Sequence, residues 1–351
     1  MVTQIHRTDG LFSLAITGGG TSAISNLFAV PGASRSILEV SVPYDGIALQ
    51  KYVAGNKTQS CSNPTARAMA MASYQRAKVL APGSPVYGLG CTAAIATDRN
   101  RRGEDQCHVA VQSASRTKTF DLSLNKSQTR AEQEAHCASL IVDAMADIMG
   151  LRMLEENDNT LIKASTAPLA WQQLLAGERL TSSDEKPLCI FPGAFNPLHD
   201  GHRGMLKIAK NLVGCDPFLE ISIRNVDKPP IDFISMSERL TDEYPVVFTN
   251  APTFIEKSAL FPEATFIVGA DTVARIDESK YYADTAARDE AMKTMSDRGI
   301  RFLVFGRHDD GNFISLTDLH LSDGLKALCD EVPETSFSLD ISSSAIRAEQ
   351  S

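Results

Sequence analysis

An α/β protein of two domains, the second built on a parallel sheet with helices on both faces, is predicted by three features of the sequence. Short apolar, β-branched runs alternate with stretches of helical periodicity in both halves of the chain. Its 351 residues exceed what one ordinary core accommodates. Charge is divided unevenly. Residues 1–165 carry 16 Lys/Arg against 14 Asp/Glu, and residues 166–351 carry 18 against 29, so a near-neutral unit precedes an acidic one.

The first half is justified element by element. Leu11–Thr17 is an apolar run that ends in Gly18-Gly19-Gly20. Thr21–Phe28 reads as a helix, stopped by Val30-Pro31-Gly32. Ser36–Val42, Val86–Ala96 and His108–Ser113 read as strands. Asn63–Lys78 has helical spacing. Thr129–Met149 is a long helix with apolar Ala135, Leu140, Ile141, Ala144, Met145 and Ile148. Residues 150–185 carry Glu155-Glu156-Asn157-Asp158-Asn159, one helical segment at Trp171–Leu175, and Thr181-Ser182-Ser183-Asp184-Glu185-Lys186-Pro187. That composition suits a connection. The expected division is a domain at 1–165, a linker at 166–185 and a domain at 186–351.

The second half opens on the strand Leu188–Pro192, followed by a loop and a helix from Gly201 to Val213. Phe218–Ile223, Val246–Thr249, Thr265–Gly269 and Ile300–Phe305 read as strands, with helices at Ala283–Arg298 and Ser342–Glu349. This alternation gives a parallel sheet. Ligands of such sheets sit beyond the carboxyl ends of the strands, where the loop after the first strand falls.

Composition narrows the function classes. With 43% hydrophobic and 22% charged residues, the chain is that of a soluble globular protein. No apolar run of about 18 residues suggests a membrane span, and no secretory signal is readable at Met1. Seven scattered cysteines without a CxxC pair indicate reduced thiols in the cytoplasm and no structural zinc. A net charge of −9 argues against a nucleic-acid coat. An acidic domain still binds a triphosphate when anion contacts are local and a metal ion offsets charge.

Two segments carry the chemistry. In Phe191-Pro192-Gly193-Ala194-Phe195-Asn196-Pro197-Leu198-His199-Asp200-Gly201-His202, Gly193 permits a sharp turn at the strand end and Pro197 stiffens it. His199 and His202 lie three apart where the helix begins, so both can face one point. Gly201 leaves room beside a helix N-terminus suited to phosphate oxygens. Two imidazoles there would stabilise charge on a departing pyrophosphate. In Asp340-Ile341-Ser342-Ser343-Ser344-Ala345-Ile346-Arg347, Ser342 or Ser343 serves as N-cap, the remaining hydroxyls face an anion, and Arg347 clamps it. Taken singly, an HxxH pair or a serine run is often only a cap. Their joint occurrence at the two ends of one domain gives them weight.

These segments resemble the HxGH and ISSTxxR signatures of the nucleotidyltransferases that include nicotinamide and nicotinate mononucleotide adenylyltransferases. His199, Gly201 and His202 match the first completely, and Ser344 stands for threonine in the second. Gly193-Ala194-Phe195-Asn196-Pro197 resembles the family's GxFxP stretch. Phe266-Ile267-Val268-Gly269-Ala270-Asp271 resembles its strand ending in G-x-D. The resemblance implies a Rossmann-like, cytidylyltransferase-like domain over 186–351. It also implies in-line attack by a substrate phosphate on the α-phosphate of ATP, with Mg²⁺. His199, His202 and Arg347 would stabilise transfer. Gly193, Ala194, Phe195, Asn196, Gly201, Gly269, Asp271, Ser342, Ser343 and Ser344 would bind nucleotide and phosphate. Lys228, in Asn225-Val226-Asp227-Lys228, and Arg307, in Phe305-Gly306-Arg307, are candidate substrate contacts.

The first half resembles the C-terminal domain of the CinA family. The resemblance rests on Ala15-Ile16-Thr17-Gly18-Gly19-Gly20-Thr21-Ser22, Ala29-Val30-Pro31-Gly32, Val42-Pro43-Tyr44-Asp45 and Gly88-Leu89-Gly90-Cys91-Thr92-Ala93, the last expected at a strand end. Some members deamidate nicotinamide mononucleotide. Here Thr17 replaces the family's serine, Gly19 its threonine, Asp45 follows Tyr44 where serine is expected, and Leu49 stands at its lysine. A hydrolytic hydroxyl needs an adjacent base, so the deamidase reading is weakened. The Gly18–Gly20 loop reads either as a plain strand-to-helix turn or as a backbone anion site. Arg99-Asn100-Arg101-Arg102 reads as a solvated loop.

Together these resemblances imply adenylyl transfer from ATP to nicotinamide or nicotinate mononucleotide, with pyrophosphate released, in NAD biosynthesis. The alternatives are another phosphorylated acceptor, a non-catalytic nucleotide-binding regulator, or a deamidase acting through the first domain. Expected partners are ATP and a phosphorylated small molecule, with no nucleic acid and no membrane. A homo-oligomer is compatible with the sequence.

Overall fold

The computed structural model describes residues 1–55, 60–99, 101–224, 229–309 and 312–336. Packing divides them into two units, 1–176 with 229–238, and 177–224 with 239–336. Residues 229–238, expected within the second domain, group with the first unit, and the second unit begins at Gly177 within the expected linker.

The first unit is built on α1 (Val2–Ile5), β1 (Leu11–Thr17), α2 (Ser22–Phe28), β2 (Ile37–Ser41), α3 (Gly46–Tyr52), α4 (Asn63–Leu80), β3 (Val86–Ala94), β4 (Gln106–Gln112), β5 (Arg116–Ser123), α5 (Arg130–Ile148), β6 (Thr160–Thr166) and α6 (Leu169–Ala176). Its sheet has the order β2-β1-β3-β4-β5-β6. The first three strands are parallel and the last three pairings antiparallel. The main core buries Phe12, Leu14, Ile16, Leu89, Val109 and Phe120 of the sheet with Leu140, Ile141 and Met145 of α5. A Thr129–Glu132 capping box starts α5, and Ser62 caps α4.

α4 lies close against β3, and the reason is local. A Cβ on Gly90 would come within 2.3 Å of the Ala66 carbonyl oxygen, and one on Gly88 within 2.1 Å of the Ala70 oxygen. These glycines therefore sit mid-strand, where helix backbone meets sheet backbone, and not at a strand end as the sequence suggested. Two further elements occupy stretches read as connections. β6 pairs along β5 as an edge strand, and its polar sequence hides it because only Thr160, Ile162 and Ser165 are partly covered. α6 falls in the expected linker, yet Trp171, Leu174 and Leu175 are buried.

The second unit comprises β7 (Cys189–Pro192), α7 (Asp200–Val213), β8 (Phe218–Ser222), β9 (Val246–Thr249), α9 (Phe254–Leu260), β10 (Thr265–Gly269), α10 (Ala270–Ile276), α11 (Thr285–Asp297), β11 (Arg301–Phe305), the short hairpin β12 (Arg307–Asp309) and β13 (Asn312–Ile314), α12 (Asp323–Lys326) and β14 (Cys329–Val332). Its six-stranded sheet, β14-β11-β10-β7-β8-β9, is parallel throughout. Counted within the unit, that is the doubly wound order, with the switch point between β7 and β10. Phe266, Ile267 and Val268 of β10 and Phe302, Leu303 and Val304 of β11 are buried, as strands covered on both faces must be.

α8 (Phe233–Ser237) lies between β8 and β9 in sequence but packs on β5 and β6 of the first unit. Phe233, Ile234 and Met236 are buried. The Phe233 N–H donates to Thr117 Oγ1 at 3.0 Å, and Arg67 faces Asp232 at 3.4 Å and Glu238 at 3.2 Å. Among the described residues no helix is long and apolar enough to cross a membrane.

Candidate nucleotide site

β7 delivers the chain to the switch point, and the Gly193 N–H continues its pairing with the Glu220 carbonyl at 2.9 Å. The loop then folds back on itself. Phe195 adopts φ 42°, in the left-handed region, and its ring is buried. That ring covers Gly193 so closely that a Cβ there would lie 2.6 Å from it. A glycine at 193 is thus required by Phe195 rather than by its own dihedrals. The Asn196–Pro197 peptide is cis. Arg239 donates from Nε to the Ala194 carbonyl at 3.0 Å and ties the loop down. Sequence reading missed Arg239, which lies 45 residues from its acceptor with no motif around it.

His199 caps α7, and His202 occupies the third helical position. The two close a reciprocal box. The His202 N–H donates to His199 Nδ1 at 3.4 Å, and the His199 N–H donates to His202 Nδ1 at 3.3 Å. A neutral imidazole whose Nδ1 accepts must carry its hydrogen on Nε2. Both rings therefore present Nε2–H donors. They stack with centroids 3.6 Å apart and planes 21° from parallel. Phe195 and Phe191 meet His202 edge-on at 5.1 and 5.6 Å. Burial first, then the neighbouring His199 and Arg203, holds the His202 pKa down at about 4. Burial also lowers that of His199, against the pull of Asp200. Two neutral donors stand where a charged pair at stacking distance would repel itself. Arg203 is committed elsewhere, to Glu243 at 2.7 and 2.8 Å and to Asp200 at 3.0 Å.

On the other side of the switch point, Gly269 caps α10 and Asp271 stands exposed in its first turn. Arg307, just past β11, lies 3.9 Å from the Asp271 carboxylate. The strand ends thus bring together two residues that the sequence had proposed separately. Gly201 is buried in the first turn of α7. Lys228 and the segment Ser342, Ser343, Ser344 and Arg347 lie outside the described residues.

In the first unit the Gly18–Gly20 loop already holds an anion of its own. The Glu134 carboxylate accepts from the Gly20 N–H at 2.7 Å, the Ser22 N–H at 2.9 Å and the Thr21 hydroxyl at 2.9 Å. Of the two readings of that loop, the turn is the one observed, with an internal carboxylate in place of a ligand. Asp45 caps α3, and Leu49 is buried with Ala15, Val53 and Met69. Leu49, set against a lysine by the sequence resemblance, is here part of an apolar core.

Comparison with known proteins agrees with the second unit's geometry. A profile of the cytidylyltransferase-like family matches residues 190–349. A protein of Schizosaccharomyces pombe described as a putative nicotinamide mononucleotide adenylyltransferase is 33% identical, over 46% of this chain and 70% of its own length. Among solved structures, the competence/damage inducible protein CihA of Agrobacterium tumefaciens is similar at 18% identity and TM-score 0.35. It covers 43% of this chain and 90% of that one. A CinA superfamily protein of Escherichia coli is similar at 13% identity and TM-score 0.35, covering 43% and 85%.

Proposed function

Since the chain belongs to the cytidylyltransferase-like family and is a nucleotidyltransferase, we propose that it transfers the adenylyl group of ATP to nicotinamide or nicotinate mononucleotide and releases pyrophosphate. The observation that carries this reading is the His199–His202 box at the switch point. Its Nε2–H donors are fixed before substrate arrives, because backbone N–H groups occupy both Nδ1 atoms. Preorganised donors cost no reorganisation as charge builds on the transferring phosphoryl group. The negative charge of bound phosphates then raises the pKa of both rings and strengthens their N–H donors.

The acceptor's phosphate attacks the α-phosphate in line. His199 and His202 hold oxygens of the transferring group, and the N–H groups of the α7 N-terminus hold adjacent phosphate oxygens. Ser342, Ser343, Ser344 and Arg347 would take the β- and γ-phosphates, with Lys228 and Arg307 toward the acceptor. Mg²⁺ suits this donor set as an ion carried on the triphosphate. Among the described residues no group of three or more acidic, His or Cys side chains is arranged to hold a metal ion, and Asp271 offers a single exposed carboxylate. Bound there, it would offset the triphosphate's charge.

Pyrophosphate release with ATP and each mononucleotide tests the proposal. The expected result is turnover with one or both mononucleotides that is lost in His202→Ala. Release no greater than in that variant with either acceptor would rule out the pyridine mononucleotide as substrate.

A further inference from the structure

We infer a second reactive centre, in the first unit, where Cys61, His108 and Asp121 form a thiol–imidazole–carboxylate set that accepts an acyl group from an activated ester or amide. None of the three belongs to a motif read from the sequence, and nothing in the proposed nucleotidyl transfer uses them.

The sheet assembles the set. His108 on β4 and Asp121 on β5 are direct cross-strand partners. His108 Nδ1 lies 2.6 Å from Asp121 Oδ1. Asn63, the first residue of α4, donates from Nδ2 to both carboxylate oxygens at 3.0 and 2.8 Å, which fixes the carboxylate's plane. With Nδ1 turned to Asp121, the ring's other nitrogen faces inward. His108 Nε2 is buried and has no hydrogen-bond partner among the described residues. A buried ring nitrogen left this way calls for an explanation. The neighbouring thiol supplies one. Cys61 Sγ sits against β4 and its other neighbour β3, 3.8 Å from the Gln106 carbonyl and 3.9 Å from that of Thr92. Thr92 is the cross-strand partner of His108 on its other side. Burial opposes charge on His108, but Asp121 and the adjacent Cys61 outweigh it and raise the imidazole pKa to about 9.

Position adds to this. Cys61 immediately precedes Ser62, the N-cap of the 18-residue α4, so its backbone is fixed by the start of that helix. Cys61 is half-buried, and the Asp121 side chain is 28% exposed, so a small reagent can reach the thiol. This is the nucleophile–base–orienter logic of thiol acyl transfer. The Cys61 sulfur attacks the carbonyl carbon and forms an S–C bond while the bond to the alcohol or amine breaks. The thiol's proton passes through His108 to the leaving group. Water then attacks the thioester, one of its protons passes through His108 to sulfur, and the carboxylic acid departs and ionises in solvent.

The test treats the full-length protein with p-nitrophenyl acetate and maps acetylated cysteines by mass spectrometry after an acid quench. Cys215 and Cys329, also part-exposed, are internal controls. Cys61 should acetylate at least about 10-fold faster than either, and His108→Gln should slow it by on the order of 100-fold. Asp121→Asn should slow it near neutral pH yet leave it unchanged above the free-thiol range. Acetylation of Cys61 in the wild-type protein no faster than of Cys215 would overturn the inference. That comparison needs no variant to fold.

Discussion

At His202, burial and the stacked His199 ring act in the same direction, and two predictions follow from that environment. The first concerns catalysis. His202→Ala removes one preorganised donor and half of the reciprocal box. A fall in kcat of roughly 10²–10³-fold is expected, measured as pyrophosphate release at saturating ATP. The second concerns pH. Folded His202 titrates near 4, while an imidazole in the unfolded chain titrates near ~6.5. Between those values the unfolded chain takes up a proton that the folded chain refuses. The contribution of the neutral ring is therefore whole above about pH 6.5 and is lost as pH falls toward 4. Urea midpoints should drop more steeply between neutral and about pH 5 in wild type than in His202→Gln, and parallel slopes would contradict the assignment. Gly193→Ala probes the same loop from beneath. Its methyl meets the Phe195 ring, so a stability loss of about 1–3 kcal/mol is expected, with a larger loss of activity as His202 loses its aromatic wall.

Among the elements, β8, β9 and α9 are joined by a buried ion pair. Glu220 on β8 receives Lys257 Nζ of α9 at 2.7 and 2.8 Å and the hydroxyl of Thr249 on β9, and Lys257 also reaches the Ala251 carbonyl at 2.8 Å. Both charged side chains are almost wholly inaccessible. Lys257→Met should cost about 3–5 kcal/mol, because Glu220 is left buried and unpaired, and Glu220→Met with Lys257→Met should recover most of it. Chemical denaturation of the two variants decides this. The pair shows which links are legible in a sequence. The stretch from Gly193 to His202 is contiguous, so turn, cap and imidazole spacing are all visible in one line of residues. Glu220 and Lys257 are 37 residues apart, Gly20 and Glu134 are 114 apart, and Glu220, Lys257 and Glu134 each read alone as ordinary surface charge. Five of the six parallel strands of the second unit are readable because burial makes them largely apolar. The edge strands β14, with Asp330 and Glu331, and β6 are not, since an edge strand can be polar at most positions and still pair.

For the whole molecule, the order of residues and the grouping of elements disagree at one place, and this has a consequence. The chain leaves β8 and places α8 on β5 and β6 of the first unit before returning to β9. There the segment is held by packing and by polar contacts of good geometry. Phe233, Ile234 and Met236 are buried, Ser165 and Ser237 hydroxyls lie 2.7 Å apart, and Lys163 reaches Glu238 at 2.6 Å. A fragment beginning at Gly177 keeps every strand of the second sheet but deprives these three apolar side chains of β5 and β6. Fully burying such side chains contributes about 1.5–3 kcal/mol each, so the fragment carries an exposed apolar segment that the full chain does not. It should bind a hydrophobic dye more strongly per mole than the full-length protein and self-associate with rising concentration. Replacing Phe233, Ile234 and Met236 by serine in the fragment should suppress both effects, whereas the same substitutions in the full chain should lower its stability. Dye binding by the fragment equal to that of the full chain would mean that α8 finds equivalent cover within the second unit.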